Sequence, residues 1–170
     1  MARKRLFSIA MLVALLTGML GLQASVVTGK NDGDPLVLEF GTMVGVTTPF
    51  RGAANAIRGV PGAGADWVLG SAKGELTTSG HLEIKVGGLV LLNGNNPQAN
   101  FQAIVSCLTS ANLPINVATG PFPATIGLAT NGGGNATIEI DLATLPHPCI
   151  APIVFVTNGA GTAWFAVTGG

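Results

Sequence analysis

Two cysteines are the residues of this chain with the most definite chemistry. Cys107 and Cys149 lie downstream of an N-terminal segment with the features of an export signal. In an exported protein an even number of cysteines favours disulfide bonds, and two cysteines allow one intramolecular pairing. The alternative, a redox-active or nucleophilic thiol, has no Cys-x-x-Cys pair to support it. The sequence therefore predicts a Cys107–Cys149 disulfide, which would contribute about 4 kcal/mol in the chain-entropy model.

Two histidines could supply acid–base or metal-binding chemistry. His81 opens a segment in which polar and apolar residues alternate, which predicts an exposed position on a strand. His147 lies between two prolines, two residues before Cys149. A His-x-Cys pair can bind a soft metal only with two further ligands and a free thiolate, which a disulfide would remove. We therefore predict that both histidines are structural.

No motif in the chain predicts catalysis or a bound cofactor. Gly59–Gly64 lacks the Gly-Lys-Ser/Thr ending of a phosphate-binding loop, and Ser106 does not lie in a Gly-x-Ser-x-Gly turn. We therefore predict no catalytic residue and no cofactor. A secreted hydrolase is the alternative, and it would need a convergent set of titratable groups. The side chains available for such a set include His81, His147, Asp66, Glu75, Glu83, Glu139 and Asp141.

Residues 31–34, with the sequence Asn-Asp-Gly-Asp, resemble a fragment of a calcium-binding loop. Calcium prefers several oxygen ligands, and Asp32 and Asp34 could supply two of them. The next carboxylate, Glu39, falls in a predicted strand rather than at loop spacing. We expect no metal site, with Asp32 and Asp34 as the candidates if one exists.

Exposed aromatic rings would allow a β-sheet protein to bind sugars by stacking. The chain has two tryptophans and no tyrosine. Trp67 and Trp164 are therefore the candidate binding residues. Trp164 and Phe165 are adjacent on a predicted strand and should point to opposite faces of its sheet. One of the two rings could therefore be exposed, but we expect one face of the strand to pack on the core and the other to be covered by a loop.

The N-terminus predicts export from the cytoplasm. Residues 1–5 carry three basic side chains, residues 6–16 are apolar, and Ala24 precedes Ser25 at a suitable cleavage point. We predict a signal peptide over residues 1–24 and a single all-β domain over residues 25–170. The alternative is an uncleaved anchor over residues 6–27, which are long enough to cross a bilayer. We expect no stable membrane span after cleavage, and a location outside the cell or on the exterior of the cell envelope.

The low charge of the chain excludes binding to nucleic acids. Charged residues make up 9% of the sequence, and the formal net charge is zero. Without the predicted signal, five basic residues remain against eight acidic ones. Nucleic-acid binding requires a basic surface, which this chain cannot form. The remaining surface must be built mainly from Thr, Asn, Ser and Gly.

Period-2 alternation predicts strands along most of the chain. In residues 81–86, Leu82, Ile84 and Val86 alternate with polar residues, which is typical of a strand with one solvated face. The other predicted strands are 35–46, an interrupted strand within 66–76, 89–92, 101–108, 125–130, 135–142, 150–157 and 162–168.

Turn sequences separate these strands and suggest how they pair. Residues 77–80 are predicted as a turn, and residues 47–64 as a loop in which 53–57 could form one helical turn. Asn131–Gly134 should close a hairpin between 125–130 and 135–142. Strands 150–157 and 162–168 should form the last pair. The pattern predicts an all-β fold, an antiparallel β-sandwich of about eight strands, with a closed or partly open β-barrel as the alternative.

Part of the chain resembles a group of exported bacterial proteins of unknown function. The resemblance covers roughly residues 66–169. It rests on four segments: Phe101-Gln-Ala-Ile-Val-Ser-Cys107, Phe122-Pro-Ala-Thr125, the run from Leu145 to Thr157 with its Ala-Pro-x-x-Phe-Val sequence, and Trp164-Phe-Ala-Val-Thr-Gly169. The resemblance implies export and fits the predicted disulfide. The group has no assigned activity, so the resemblance implies no functional residue.

These observations together predict a secreted, non-catalytic β-sandwich protein with a structural or binding role. Its partner is expected in the cell envelope or outside the cell. A calcium- or glycan-binding module like those of adhesins is the second possibility.

Overall fold

Strands of alternating sequence form the smaller of the two main sheets. The computed structural model describes residues 34–169. The strands of the four-stranded sheet, in spatial order, are β1 (Leu36–Phe40), β6 (Ser71–Thr77), β7 (His81–Gly87) and β13 (Ala136–Asp141). All neighbours in it are antiparallel. Leu82, Ile84 and Val86 of β7 are buried as the alternation predicts, so the opposite face of this sheet is free to carry polar side chains.

The larger sheet has seven strands. In spatial order they are β11 (Pro114–Pro123), β10 (Asn100–Leu108), β14 (Ile150–Asn158), β15 (Trp164–Val167), β4 (Val60–Gly62) and β3 (Gly52–Ile57), with β2 (Val44–Gly45) also paired to β15. The single parallel contact joins β15 to β4. Seven consecutive residues of β10, 101–107, are buried. Because side chains alternate between faces, the centre of this sheet is covered on both sides.

Two short two-stranded ribbons accompany the main sheets. Their strands are β5 (Trp67–Val68) with β8 (Val90–Leu91), and β9 (Asn95–Asn96) with β12 (Gly127–Leu128). A single three-residue helical turn, Ala129–Asn131, lies among them. Within residues 34–169 no helix is long and apolar enough to span a membrane. The predicted all-β antiparallel sandwich is confirmed, and the strands of residues 34–169 do not close into a barrel.

An aromatic cluster joins the seven-stranded sheet to the ribbon that contains β5. Phe165 of β15 stacks on Trp67, with ring centroids 3.9 Å apart, and meets Phe101 of β10 edge-on at 5.8 Å. The core also contains Leu76, Leu82 and other apolar side chains of the four-stranded sheet. Stacked and edge-on aromatic pairs add to the stabilisation that burial provides.

Gly74 shows how closely the four-stranded sheet packs on its inner side. A Cβ at Gly74 would lie 2.7 Å from the ring of Phe40, which therefore packs over this position. Only glycine leaves room for the ring there.

Two of the predicted local structures are wrong. Residues 53–57 form strand β3 rather than a helical turn, because the chain reverses directly after Ile57, at Arg58 and Gly59, both with positive φ, and pairs β3 with β4. Strand β13 does not pair with 125–130. It pairs with β7, where its buried Ile138 faces Ile84, and a single bridge joins Ala124 to Ala136.

Two further segments differ from the sequence prediction. The first strand ends at Phe40, and β2 pairs with β15, so residues 41–43 carry the chain from one sheet to the other. Strand β11 was not predicted, since three prolines interrupt its sequence. It lies at the edge of its sheet, the position at which strands tolerate proline.

Candidate functional site

A row of four glutamates crosses the outer face of the four-stranded sheet. Glu39 of β1 is opposite Glu75 of β6, Glu75 is opposite Glu83 of β7, and Glu83 is opposite Glu139 of β13. These four are all the glutamates in the chain. Neighbouring strands are about 4.8 Å apart, so the row spans roughly 14 Å. We call these four residues the carboxylate row. Like charges directly opposite each other destabilise a sheet, so folding alone gives no reason for this arrangement.

Two lysines form the next row of the same face. Lys73 of β6 is opposite Lys85 of β7, two residues along the strands from the carboxylate row. Two residues advance a strand by about 6.8 Å. Lys85 forms an ion pair with Glu83, and this contact raises the pKa of Lys85 and lowers the pKa of Glu83. The same two residue types on β6, Lys73 and Glu75, form no ion pair with any residue of the part that the structure describes.

Most of the charge of the described chain lies on this one surface. We use the name charged face for the outer side of the four-stranded sheet. It carries seven of the eleven charged residues within residues 34–169: Glu39, Lys73, Glu75, Glu83, Lys85, Glu139 and Asp141.

The four remaining charged residues all have polar partners. Arg51 and Asp66 form a two-point ion pair, and Asp34 closes a turn. Arg58 donates from its guanidinium to the carbonyl oxygens of Ser106, at 2.8 Å, and Ala151, at 2.7 Å. Charges without a partner are therefore concentrated on the charged face.

Two adjoining depressions lie on the charged face. The larger has a volume of about 610 Å³, and the smaller has a volume of about 190 Å³. Both are lined by Lys73 and Lys85, so they meet at the lysine row. Ser71, Asn135 and Thr137 line the larger one, and Glu39, Glu75 and Glu83 line the smaller one. We call the two together the charged groove.

His81 and Asp141 form a pair beside the carboxylate row. The imidazole Nδ1 lies 2.7 Å from a carboxylate oxygen of Asp141, and this hydrogen bond raises the pKa of His81. A hydrolase would need such a pair in a pocket beside a nucleophile. The Asp141 side chain is 86% exposed, and neither residue lines the two depressions of the charged groove. Of the geometry that a hydrolase needs, the pair supplies only the hydrogen bond.

The two tryptophans proposed as binding residues are buried. Trp67 is 3% exposed and Trp164 is 2% exposed. Trp67 belongs to the aromatic core, and Trp164 packs against Phe155, with ring centroids 6.2 Å apart. A stacking surface built from these rings is therefore excluded, because neighbouring side chains cover both.

The aspartates proposed as cation ligands do not form a site that the structure describes. Asp32 lies outside the described residues. The carboxylate of Asp34 accepts hydrogen bonds from the Thr78 hydroxyl and, at 2.6 Å, from the Ser79 backbone N–H. The Ser79 and Thr78 contacts hold the pKa of Asp34 far below its usual range. Within residues 34–169 no three His, Cys, Asp or Glu side chains are grouped to hold a metal ion.

The predicted disulfide is confirmed. Cys107 and Cys149 are bonded, with their Cα atoms 4.9 Å apart. The bond excludes a thiolate at Cys149, so His147 and Cys149 cannot act together as soft-metal ligands. His147 is exposed and lines a separate depression of about 230 Å³ beside Cys149, together with Leu145 and other residues.

Part of the carboxylate row could have been found from sequence. A turn at residues 77–80 centres a hairpin that places Glu75 opposite Glu83 and Lys73 opposite Lys85. The positions of Glu39 and Glu139 depend on strands that are distant in sequence, and no local signal gives their register. Comparison of the chain with models of protein families, with curated proteins and with solved structures found no match.

Proposed function

We propose that this protein is an exported, non-catalytic binding protein that uses the charged face to hold a partner outside the cytoplasm. The observation that carries the proposal is the carboxylate row. Opposed glutamates destabilise the sheet, and Glu39, Glu75 and Glu139 have no ion-pair partner among the described residues. A bound partner of complementary charge would offset that cost.

Export is the other half of the proposal. The basic and apolar segments of residues 1–24 support a cleaved signal peptide, and the disulfide supports an oxidising compartment. The resemblance to exported bacterial proteins points the same way. N-terminal sequencing of the protein recovered from the culture medium or envelope should begin near Ser25. Recovery of intact Met1 in a membrane fraction would contradict the proposal and favour an anchor.

Binding is tested by removing charge from the face without removing the fold. The triple variant Glu39→Gln/Glu75→Gln/Glu139→Gln leaves the Glu83–Lys85 ion pair in place. The wild type, immobilised, should retain a component of the envelope or culture supernatant at low salt and release it at high salt. The triple variant should not retain it, because the charges that attract it are gone.

A matched control removes an exposed apolar side chain from the other sheet. Ile115→Thr, on the edge strand β11, should retain the same component as the wild type. Equal retention by the triple variant, or loss in Ile115→Thr alone, would contradict binding through the charged face.

The hydrolase alternative has its own test. Esters, glycosides and peptides are offered to the wild type and to His81→Gln/His147→Asn between about pH 5 and pH 8, the range in which histidine titrates. Activity that disappears in the variant at an unchanged melting temperature would overturn the non-catalytic proposal.

A further inference from the structure

Two identical charge pairs lie side by side on the charged face, and one of them is open. On β7, Lys85 and Glu83 are two residues apart and bonded to each other. On β6, Lys73 and Glu75 have the same spacing and are directly opposite the β7 pair in register. Lys73 and Glu75 form no ion pair with each other or with other described residues. The open pair offers one positive and one negative group to a molecule lying along β6.

The charged groove passes over this open pair. Glu39 and Glu75 line only its smaller depression, and Lys73 lies where the two depressions meet. The groove is therefore acidic at one end and basic at its middle. Hydroxyl and amide groups of Ser71 and Asn135 lie on the other side of Lys73, where they can hydrogen-bond to polar atoms of a ligand.

Small residues give the groove its depth. Gly41 lines the larger depression, and a Cβ added at Gly41 meets no other atom within 4 Å. Ala72 and Gly87 line the same depression. A large side chain at Gly41 would therefore project into open space at the groove without disturbing the packing of the sheet.

The polarity of the groove selects the kind of ligand. A dication would bring one of its charges against Lys73, and a dianion would bring one of its charges against Glu39 and Glu75. A ligand with one charge of each sign avoids both repulsions. The backbone positions of Glu75 and Lys73 are about 6.8 Å apart, the advance of two residues along a strand. A peptide of two extended residues spans roughly 7 Å, and a peptide of three spans roughly 10 Å.

We propose that the charged groove binds a short peptide of two or three residues whose amino and carboxyl termini are both free. Its ammonium group lies between Glu39 and Glu75, and its carboxylate meets Lys73. The inference rests on the proposed binding function and names the ligand class for the same face. Lys85 remains bonded to Glu83 and forms the wall of the groove.

The test uses four forms of one peptide. Tri-alanine with free ends, its N-acetylated form, its C-amidated form and the doubly blocked form are titrated at millimolar concentrations into the isotope-labelled mature protein. Backbone amide shifts report binding and its location. The free peptide should bind most tightly, with shifts at Lys73, Glu75 and Asn135. Each blocked end should weaken binding about fivefold, the upper range for one exposed ion pair.

Variants separate the two charges and the shape of the groove. Lys73→Gln should weaken binding of the free and N-acetylated peptides. It should leave binding of the C-amidated peptide unchanged, because that peptide has no carboxylate for Lys73 to contact. Glu75→Gln should weaken the free and C-amidated peptides while leaving the N-acetylated peptide unchanged, because the acetylated end has no ammonium group. Gly41→Leu should abolish binding by filling the groove. Gly64→Leu is the matched control, since Gly64 also has ordinary φ and open space around its Cβ but lies outside the groove.

The results that would overturn the inference differ from those that would overturn the proposed function. Equal binding of free and blocked peptides, absence of shifts at millimolar peptide, or tighter binding of a linear diamine or dicarboxylate would each contradict the peptide proposal. If the envelope component is still lost from Glu39→Gln/Glu75→Gln/Glu139→Gln in that case, the proposed function stands with another ligand. If that variant also keeps the component, both proposals fail.

Discussion

The two sheets of the sandwich differ in where they place charge. No strand of the seven-stranded sheet contains Asp, Glu, Lys or Arg, whereas every strand of the four-stranded sheet contains at least one. The central strands of the larger sheet are buried on both faces, as residues 101–107 of β10 show. A buried charge without a partner is very costly, so these strands can carry only apolar and neutral polar side chains.

The charged side chains of the strands therefore lie on the outer face of one sheet only, the four-stranded one. The four-stranded sheet has an apolar inner face and a solvated outer face, and nearly all its charges are outside. The strands of the seven-stranded sheet therefore contribute only apolar and neutral polar side chains, and the proposed recognition surface lies on the four-stranded sheet. Truncating a core side chain of the seven-stranded sheet should lower the free energy of unfolding, whereas removing charge from the carboxylate row should raise it.

The largest effect is expected in the aromatic core of the seven-stranded sheet. Phe165→Ala removes the ring that stacks on Trp67 and contacts Phe101, and it leaves a cavity. The free energy of unfolding should fall by about 4 kcal/mol, measured by urea denaturation. If the variant does not fold, Phe165→Leu should fold with a smaller loss. A loss below about 1 kcal/mol would contradict the central role given to this sheet.

The disulfide of the same sheet should come next. It joins residues separated by 42 positions, so breaking it gives the unfolded chain much more freedom. Reduction should lower the free energy of unfolding by roughly 4 kcal/mol, or somewhat less if the native bond is strained. The measurement is urea denaturation with and without reductant. Cys107→Ala/Cys149→Ala is the control, and its free energy of unfolding should be the same in both conditions. Thiol labelling of the folded, unreduced protein would refute the bond itself.

On the charged face, removing charge should raise stability. Glu75→Gln relieves repulsion with Glu39 and Glu83, and the free energy of unfolding should rise by up to about 1 kcal/mol at low salt. In about 1 M salt, where screening acts over roughly 3 Å, the gain should shrink. Glu83→Gln is the control: it also loses the ion pair with Lys85, so its gain should be smaller. A clear loss of stability in Glu75→Gln would break the contrast between the sheets.

The smallest effect concerns His81 and depends on pH. The hydrogen bond to Asp141 raises the pKa of His81 in the folded protein. A raised pKa contributes stability that is complete below the unfolded value of about 6.5 and is lost as pH rises through the folded value. At pH 5 the free energy of unfolding of the wild type should therefore exceed that of His81→Gln by no more than about 0.5 kcal/mol, since the pair is exposed. The difference should shrink as the pH rises through the raised pKa of His81, and thermal unfolding over a series of pH values would measure it.

The sequence predicts the sandwich better than it predicts strand pairing. Alternation around Leu82 and around Ile138 identifies both strands correctly, because burial of one face leaves a local signal. It does not reveal that β13 pairs with β7 rather than with the segment before Asn131, since pairing depends on which apolar surfaces meet in three dimensions. Strand β11 was missed for a related reason: its prolines are acceptable only because the strand is at an edge.

The candidate site was only partly predictable. The alternation of His81, Glu83 and Lys85 places these side chains on a solvated face, as the structure confirms. The other half of the carboxylate row depends on the register of β1 and β13. The burial of the tryptophans has no clear local signal: Trp164 lies in β15, which is covered on both faces and shows no alternation, and Trp67 lies in a strand of only two residues.

The prolines of β11 have a consequence for the protein at high concentration. This strand is ten residues long, lies at the edge of its sheet and carries no charge to repel a neighbouring molecule. An uncharged edge of that length could template the growth of fibrils by pairing with the same strand of another copy. Pro114, Pro121 and Pro123 have no N–H group to donate to an incoming strand, and they interrupt any continuous ladder. A protein with so little surface charge can therefore reach high concentration without polymerising along this edge.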